Sequence, residues 1–152
     1  MASGRVYAAI RSHLEASWTK TPLAFENEDK DKDGHPLPPN PPATYVEVNL
    51  AGRSYDMQSL GADPVSSNSW DEKGTLFLDV TVPKGQGAVE GRTLAKQLVD
   101  LFRGTRLLDD SLEFGDAGIG EGRRSEISGA WWVIPAYVEW WITDEPLDDV
   151  DD

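Results

Sequence analysis

Asp29, Asp31 and Asp33, followed by Gly34, set alternating carboxylates ahead of a glycine. That is the spacing with which the first half of an EF-hand loop brings oxygen ligands onto calcium. The second half of such a loop is missing. Asn40 stands where a bidentate Glu is required, and Pro36, Pro38, Pro39, Pro41 and Pro42 forbid an exiting helix, so the segment reads as a solvated acidic loop and no metal is expected. Gly85, Gly87 and Gly91 follow a strand-like run, as the glycines of a dinucleotide-binding turn do where a pyrophosphate meets a helix N-terminus. Their last spacing is one residue too long, Glu90 would repel a phosphate, and no second parallel βαβ unit follows. A turn that needs positive φ accounts for these glycines, and no cofactor is expected. His13 and His35 are the only histidines, neither with a companion at metal-ligand spacing, and there is no Gly-x-Ser-x-Gly elbow. With no cysteine either, thiol nucleophiles and disulfides are excluded. No catalytic residue is predicted.

The elements that would carry any site are clearest between Gly74 and Gly104. Leu76, Leu78, Val80 and Val82 alternate with Phe77, Asp79 and Thr81, the period of a strand with one buried face, and Pro83 ends it. After the turn Lys84–Gly87, Leu94, Leu98, Leu101 and Phe102 line one side of a helix that Gly104 stops. Upstream, Ser3 is placed to cap a helix in which Val6, Ile10 and Leu14 repeat every fourth residue, with Trp18 just past its end. Val46, Val48 and Leu50 alternate with Tyr45, Glu47 and Asn49 in a second strand. Arg53 to Leu60 is expected to add a weaker strand, and Leu112 and Phe114 a short one, with a turn from Gly115 to Ser125.

The last strand is apolar on both faces. Trp132, Ile134, Ala136, Val138, Trp140 and Ile142 share one, and Trp131, Val133, Tyr137 and Trp141 the other, while Pro135 implies a bulge or an edge position. The order of elements predicts a single α+β domain over residues 1–143: a mainly antiparallel, mixed sheet with two principal helices on one face. Two exposed loops are expected, an acidic, proline-rich one at 26–43 and another at 61–73, with an acidic tail at 144–152.

Helices on one face leave the other open. Six tryptophans are many for a chain of 152 residues, and Trp70, Trp131, Tyr137 and Trp141 are the candidate subunit interface, since aromatic residues are enriched where subunits meet. The formal charge is −13, with five acids in Glu26–Asp33 and six in Asp144–Asp152. Such a surface repels nucleic acid and anionic membrane at long range, so a DNA-gripping role is not expected. The longest apolar run, Ala130 to Ile142, contains Pro135 and Glu139 and is too short to span a bilayer, and the N-terminus lacks the pattern of a cleaved secretory signal.

Taken in order, these motifs resemble the tail terminator family of long-tailed bacteriophages and related gene transfer agents. Ile10-Arg11-Ser12 and Leu14, Phe25-Glu26-Asn27, Tyr45-Val46-Glu47-Val48, Ser59-Leu60-Gly61, Asp79 through Gly87, Leu94 through Leu98 with Phe102, and the aromatic final strand carry the resemblance. It implies a structural virion protein without chemistry: a ring, usually of six copies, that binds the head-proximal end of the tail tube, stops its polymerisation and meets a head-side connector or stopper protein. Assembly would take place in the host cytoplasm, and DNA would pass through the channel without specific binding. Glu26, Glu28, Asp29, Asp31 and Asp33 are then candidates to face that channel, where phosphate repulsion keeps the duplex from sticking. The insertion at Asp29–Asn40 and the acidic tail depart from the family pattern. Two alternatives stand beside this: another neck, head-completion or minor tail protein, and a small acidic ligand-binding protein or enzyme with a site near Gly85–Gly91.

Overall fold

The computed structural model describes residues 3–57, 69–125 and 129–144. The expected strand at 58–60, most of the loop at 61–73 and the tail beyond Asp144 lie outside them.

Helix α1 spans Gly4–Ser17, and Ser3 caps it: its Oγ accepts the Val6 N–H at 3.4 Å. Val6, Ile10 and Leu14 are buried, and the helix ends where Trp18 turns extended and donates its N–H to the Leu14 carbonyl at 2.8 Å. The chain then returns through β1 (Leu23–Ala24), which lies parallel to β2 (Tyr45–Met57). Strands β3 (Trp70–Pro83), β4 (Arg106–Leu107), β5 (Leu112–Ile119), β6 (Arg123–Arg124) and β7 (Trp131–Asp144) pair antiparallel. The sheet order is β1-β2-β3-β7-β5-β4, with β6 beside β7 beyond the end of β5. The mixed, mostly antiparallel α+β sheet is therefore the one anticipated.

Helix α2 (Val89–Asp100) crosses from β3 back over the sheet. Gly85 and Gly87, at φ +91° and +77°, make the turn into it, and Gly104 at φ +69° closes it off, conformations open to glycine at little steric cost. The helix lies close against the strands: a Cβ on Gly91 would fall 2.4 Å from Ile134 Cδ1. Ala95, Leu98, Val99 and Phe102 enter one core with Val6, Ile10 and Leu14 of α1 and with the inward residues of β2, β3 and β7. His13 joins the two helices, its Nε2 2.9 Å from the Leu101 carbonyl oxygen.

Four local expectations change. Tyr45–Met57 is one strand, carried past Gly52 by a shift in register between Gly52 and Ser54 that the periodicity does not show. Trp70–Lys73 belongs to β3 and not to a loop, paired on both sides. Gly115–Ile119 continues β5 through a bulge between Phe114 and Ala117, so the turn begins only after it. Pro135 sits in a central strand: its carbonyl accepts the Gly120 N–H at 2.7 Å, which places its missing N–H on the same side, at the gap where β5 has ended and β6 has not begun.

Candidate functional site

Alternation along the strands gives the sheet a second face, turned away from both helices. Cross-strand register builds it row by row. Tyr45, Thr81 and Val133 form one row; Glu47, Asp79 and Pro135 the next; then Asn49, Phe77, Tyr137 and Gly118; and, past Glu139, Lys73, Trp141 and Glu113. The first row is closed. Trp131 beside it is only 7% exposed, its ring edge-on to Tyr45 at 5.4 Å, so this tryptophan offers little surface to a partner.

The middle rows are open. Phe77 and Tyr137 stand directly opposite each other at 39% and 38% exposure, with Trp141 at 36% further along β7. The rings are accommodated by glycines on β5: a Cβ on Gly118 would come within 2.6 Å of Tyr137 Oη, and one on Gly115 within 2.7 Å of Trp141 Cζ3. Trp141 Nε1 also donates to Glu113 Oε2 at 2.6 Å, fixing the indole. Aromatic surface therefore lies flat along the sheet and does not project from it. Trp70, by contrast, falls on the helix-side face, stacked on Tyr55 at 5.0 Å. Of the four predicted interface residues, Tyr137 and Trp141 share the open strip. Phe77 belongs with them and was legible from its alternation with Leu76 and Leu78.

Charges rim the strip. Arg106 pairs with Glu113 and Arg53 with Glu139, each at 3.2 Å, while Arg123 reaches Asp79 at 3.9 Å. Glu47 and Asp79 face each other across β2 and β3. Burial pushes the Asp79 carboxyl up; Arg123 opposes this and Glu47 adds to it. Tyr45 donates its hydroxyl to Glu47 Oε1 at 3.1 Å, and burial raises its phenol as well.

The five acids picked out for the channel occupy the insertion and its approach. Glu26 Oε1 accepts the Leu50 N–H at 2.6 Å, and the Glu26 N–H donates to Tyr7 Oη at 3.1 Å. Glu28 is gripped by the Arg11 guanidinium, which holds its carboxyl below the usual range. Asp29 accepts the Leu37 N–H through its carbonyl at 2.9 Å, and Asp33 is exposed. Asp31 Oδ1 accepts the N–H groups of His35 and Asp33, both at 2.9 Å, and these bonds lower its pKa. Asp31, Asp33 and His35 bring one ligand atom each within 4.8 Å, yet Asp31 is already committed to the turn. The EF-hand spacing thus serves as a backbone brace. Beside it runs a groove of about 300 Å³ between the end of α1 and the insertion, lined by Trp18, Lys20, Phe25, Lys30 and Lys32 among others.

No nucleophile is assembled in these places. Ser17 and Lys20 do stand at Ser-x-x-Lys spacing, but both are exposed and Lys20 Nζ donates to Gln97 Oε1 at 2.6 Å. Around Gly85–Gly91 each glycine has a turn or a packing reason.

A family model described as phage tail terminator protein matches residues 5–140. The chain belongs to the phage tail terminator family. It is accordingly a structural, non-enzymatic protein of the virion, a component of the phage tail. A solved structure aligns at a TM-score of 0.60, covering 93% of this chain and 96% of its own, at 17% identity, which speaks to the fold alone. Among curated proteins no match is found. For a tail terminator the open aromatic strip, and not a pocket, is the feature that demands a function.

Proposed function

We propose that this tail terminator forms a ring, six-membered as the family resemblance implies, at the head-proximal end of the tail tube. There it ends tube polymerisation and joins the tail to a head-side connector or stopper protein. The observation that carries this is the open face of the sheet. Phe77, Tyr137 and Trp141 expose aromatic surface over a rigid, glycine-backed plane, and a folded monomer gains nothing from leaving it wet. A subunit interface would cover it.

The insertion supplies the second part of the role. Glu28 and Asp31 are held in the ionised form by Arg11 and by backbone N–H groups, so they keep their charge into acid conditions. The charges of the Glu28–Arg11 pair cancel, and Glu26, Asp29, Asp31 and Asp33 would give a channel wall that repels passing DNA. Purified protein added to polymerising tail-tube subunits is expected to yield shorter tubes, each bearing extra density at one end in electron micrographs. Unchanged lengths and bare ends would refute the role.

A further inference from the structure

The open strip has an apolar counterpart on the same molecule. Val89 is the most exposed large apolar side chain among the described residues, at 84%. It is the first residue of α2, lifted by the glycine turn, with Ala88 as an N-cap that offers no side-chain hydrogen bond. Arg92 lies one turn along, also exposed, and makes no ion pair among the described residues. Because α2 packs on the helix side of β3 and β7, through Gly91 against Ile134 and Val82, Val89 cannot reach the open face of its own subunit.

We propose that Val89 of one subunit seats on the Phe77–Tyr137 pair of the next, with Arg92 of the first facing the Glu47–Asp79 carboxylates of the second. This deepens the ring reading and rests on it. The spacings match. Residues three apart on a helix surface have Cβ atoms about 5–6 Å apart. Neighbouring rows on one face of a strand are about 6.7 Å apart, and the Glu47–Asp79 row adjoins the Phe77–Tyr137 row. The charges match as well. Like charges set directly across two strands are unfavourable, and among the described residues of the subunit only Arg123 answers Asp79, at the long distance of 3.9 Å. A second cation arriving from outside relieves that repulsion. Two copies meeting face to face would instead press these carboxylates against each other. Knob and face are different surfaces, so the contact is head-to-tail, the kind that repeats around a ring when its rotation closes.

The absence of cysteine makes a clean test available. Val89→Cys and Phe77→Cys would be made singly and together, then oxidised with diamide, either at high concentration or on tail-tube ends. The double variant is expected to give a ladder of cross-linked species ending at the full ring. A mixture of the two single variants is expected to stop at dimers. Dimers from Phe77→Cys alone, or no cross-link from the mixture, would overturn the pairing. In parallel, Val89→Asp should weaken assembly at least tenfold by sedimentation velocity while its circular dichroism stays native, since an acid in the first turn suits a helix. Rings of Val89→Asp as abundant as those of the unmodified protein would sink the pairing and leave the ring standing. Unmodified protein that associates neither free nor on tubes would sink the ring itself, and the pairing with it.

Discussion

Gly74→Ala separates steric necessity from mere tolerance of a glycine in a strand. A Cβ at this position would lie 2.0 Å from the Ala51 carbonyl oxygen and 2.5 Å from Trp140 Cζ2. Neither neighbour is free to give way. Ala51 is held in the β2–β3 ladder opposite Thr75, and the Trp140 indole is buried in the core. Elsewhere in a strand, alanine would gain about 0.5–1 kcal/mol over glycine through the lower entropy of its unfolded state. Overpacking costs about 1–3 kcal/mol, and a clash with backbone belongs at the upper end of that range. The difference is a net loss of about 2 kcal/mol, which for a chain of 152 residues lowers Tm by roughly 4–8 °C. Differential scanning calorimetry reads this directly. Gly118→Ala is the internal control, because the atoms its Cβ would meet, Tyr137 Oη at 2.6 Å and Cε1 and Cζ at 2.7 Å, all belong to a half-exposed ring that can swing outward. Its loss should stay below about 1.5 kcal/mol. A Gly74→Ala protein melting within 1–2 °C of the unmodified one, or below it by no more than Gly118→Ala, would refute the close-approach account.

Two further predictions concern the core and the charged rim. Leu98→Ala empties a fully buried site between α2 and the sheet and should cost about 2–5 kcal/mol in urea unfolding; a loss under 1 kcal/mol would mean that α2 does not anchor the core. Asp79 has a folded-state carboxyl raised by burial above the ordinary 3.8, so in the window above that value the native state binds more protons than the unfolded one. Its contribution to stability therefore falls as pH rises through the window. Asp79→Asn should flatten the pH dependence of the urea midpoint in the mildly acid range, and an unchanged slope would show that the carboxyl titrates normally.

The parts of the fold legible from residues alone are those in which one local rule acts without competition. Ser3 ahead of a four-residue apolar repeat fixes α1, and the alternation from Leu76 to Val82 fixes the inner face of β3. Glycine-containing strands are not legible in this way. The run Gly115–Ile119 reads as a turn because its glycines look like punctuation, whereas they are there to accept aromatic rings from β7. Gly52 interrupts the alternation of β2 by a bulge, which no period anticipates. Pro135 argues for an edge only until the neighbouring strands are known to part beside it. The candidate site divides similarly. Tyr137 and Trp141 follow from two-sided apolarity, but Trp131 and Tyr45 close over each other through a cross-strand contact that sequence does not encode locally. Val89 escapes notice because a single valine at a helix start carries no pattern.

The couples Tyr137 with Gly118 and Trp141 with Gly115 tie a contact residue to a position on a different strand. Neither member can drift alone: enlarging the glycine tips the ring off the plane, and shrinking the ring bares backbone to water. Mutation should therefore strike these sites in matched steps, small beside large giving way to large beside small. Aligned relatives would then carry the imprint of the binding surface as paired exchanges, even where no individual residue is kept.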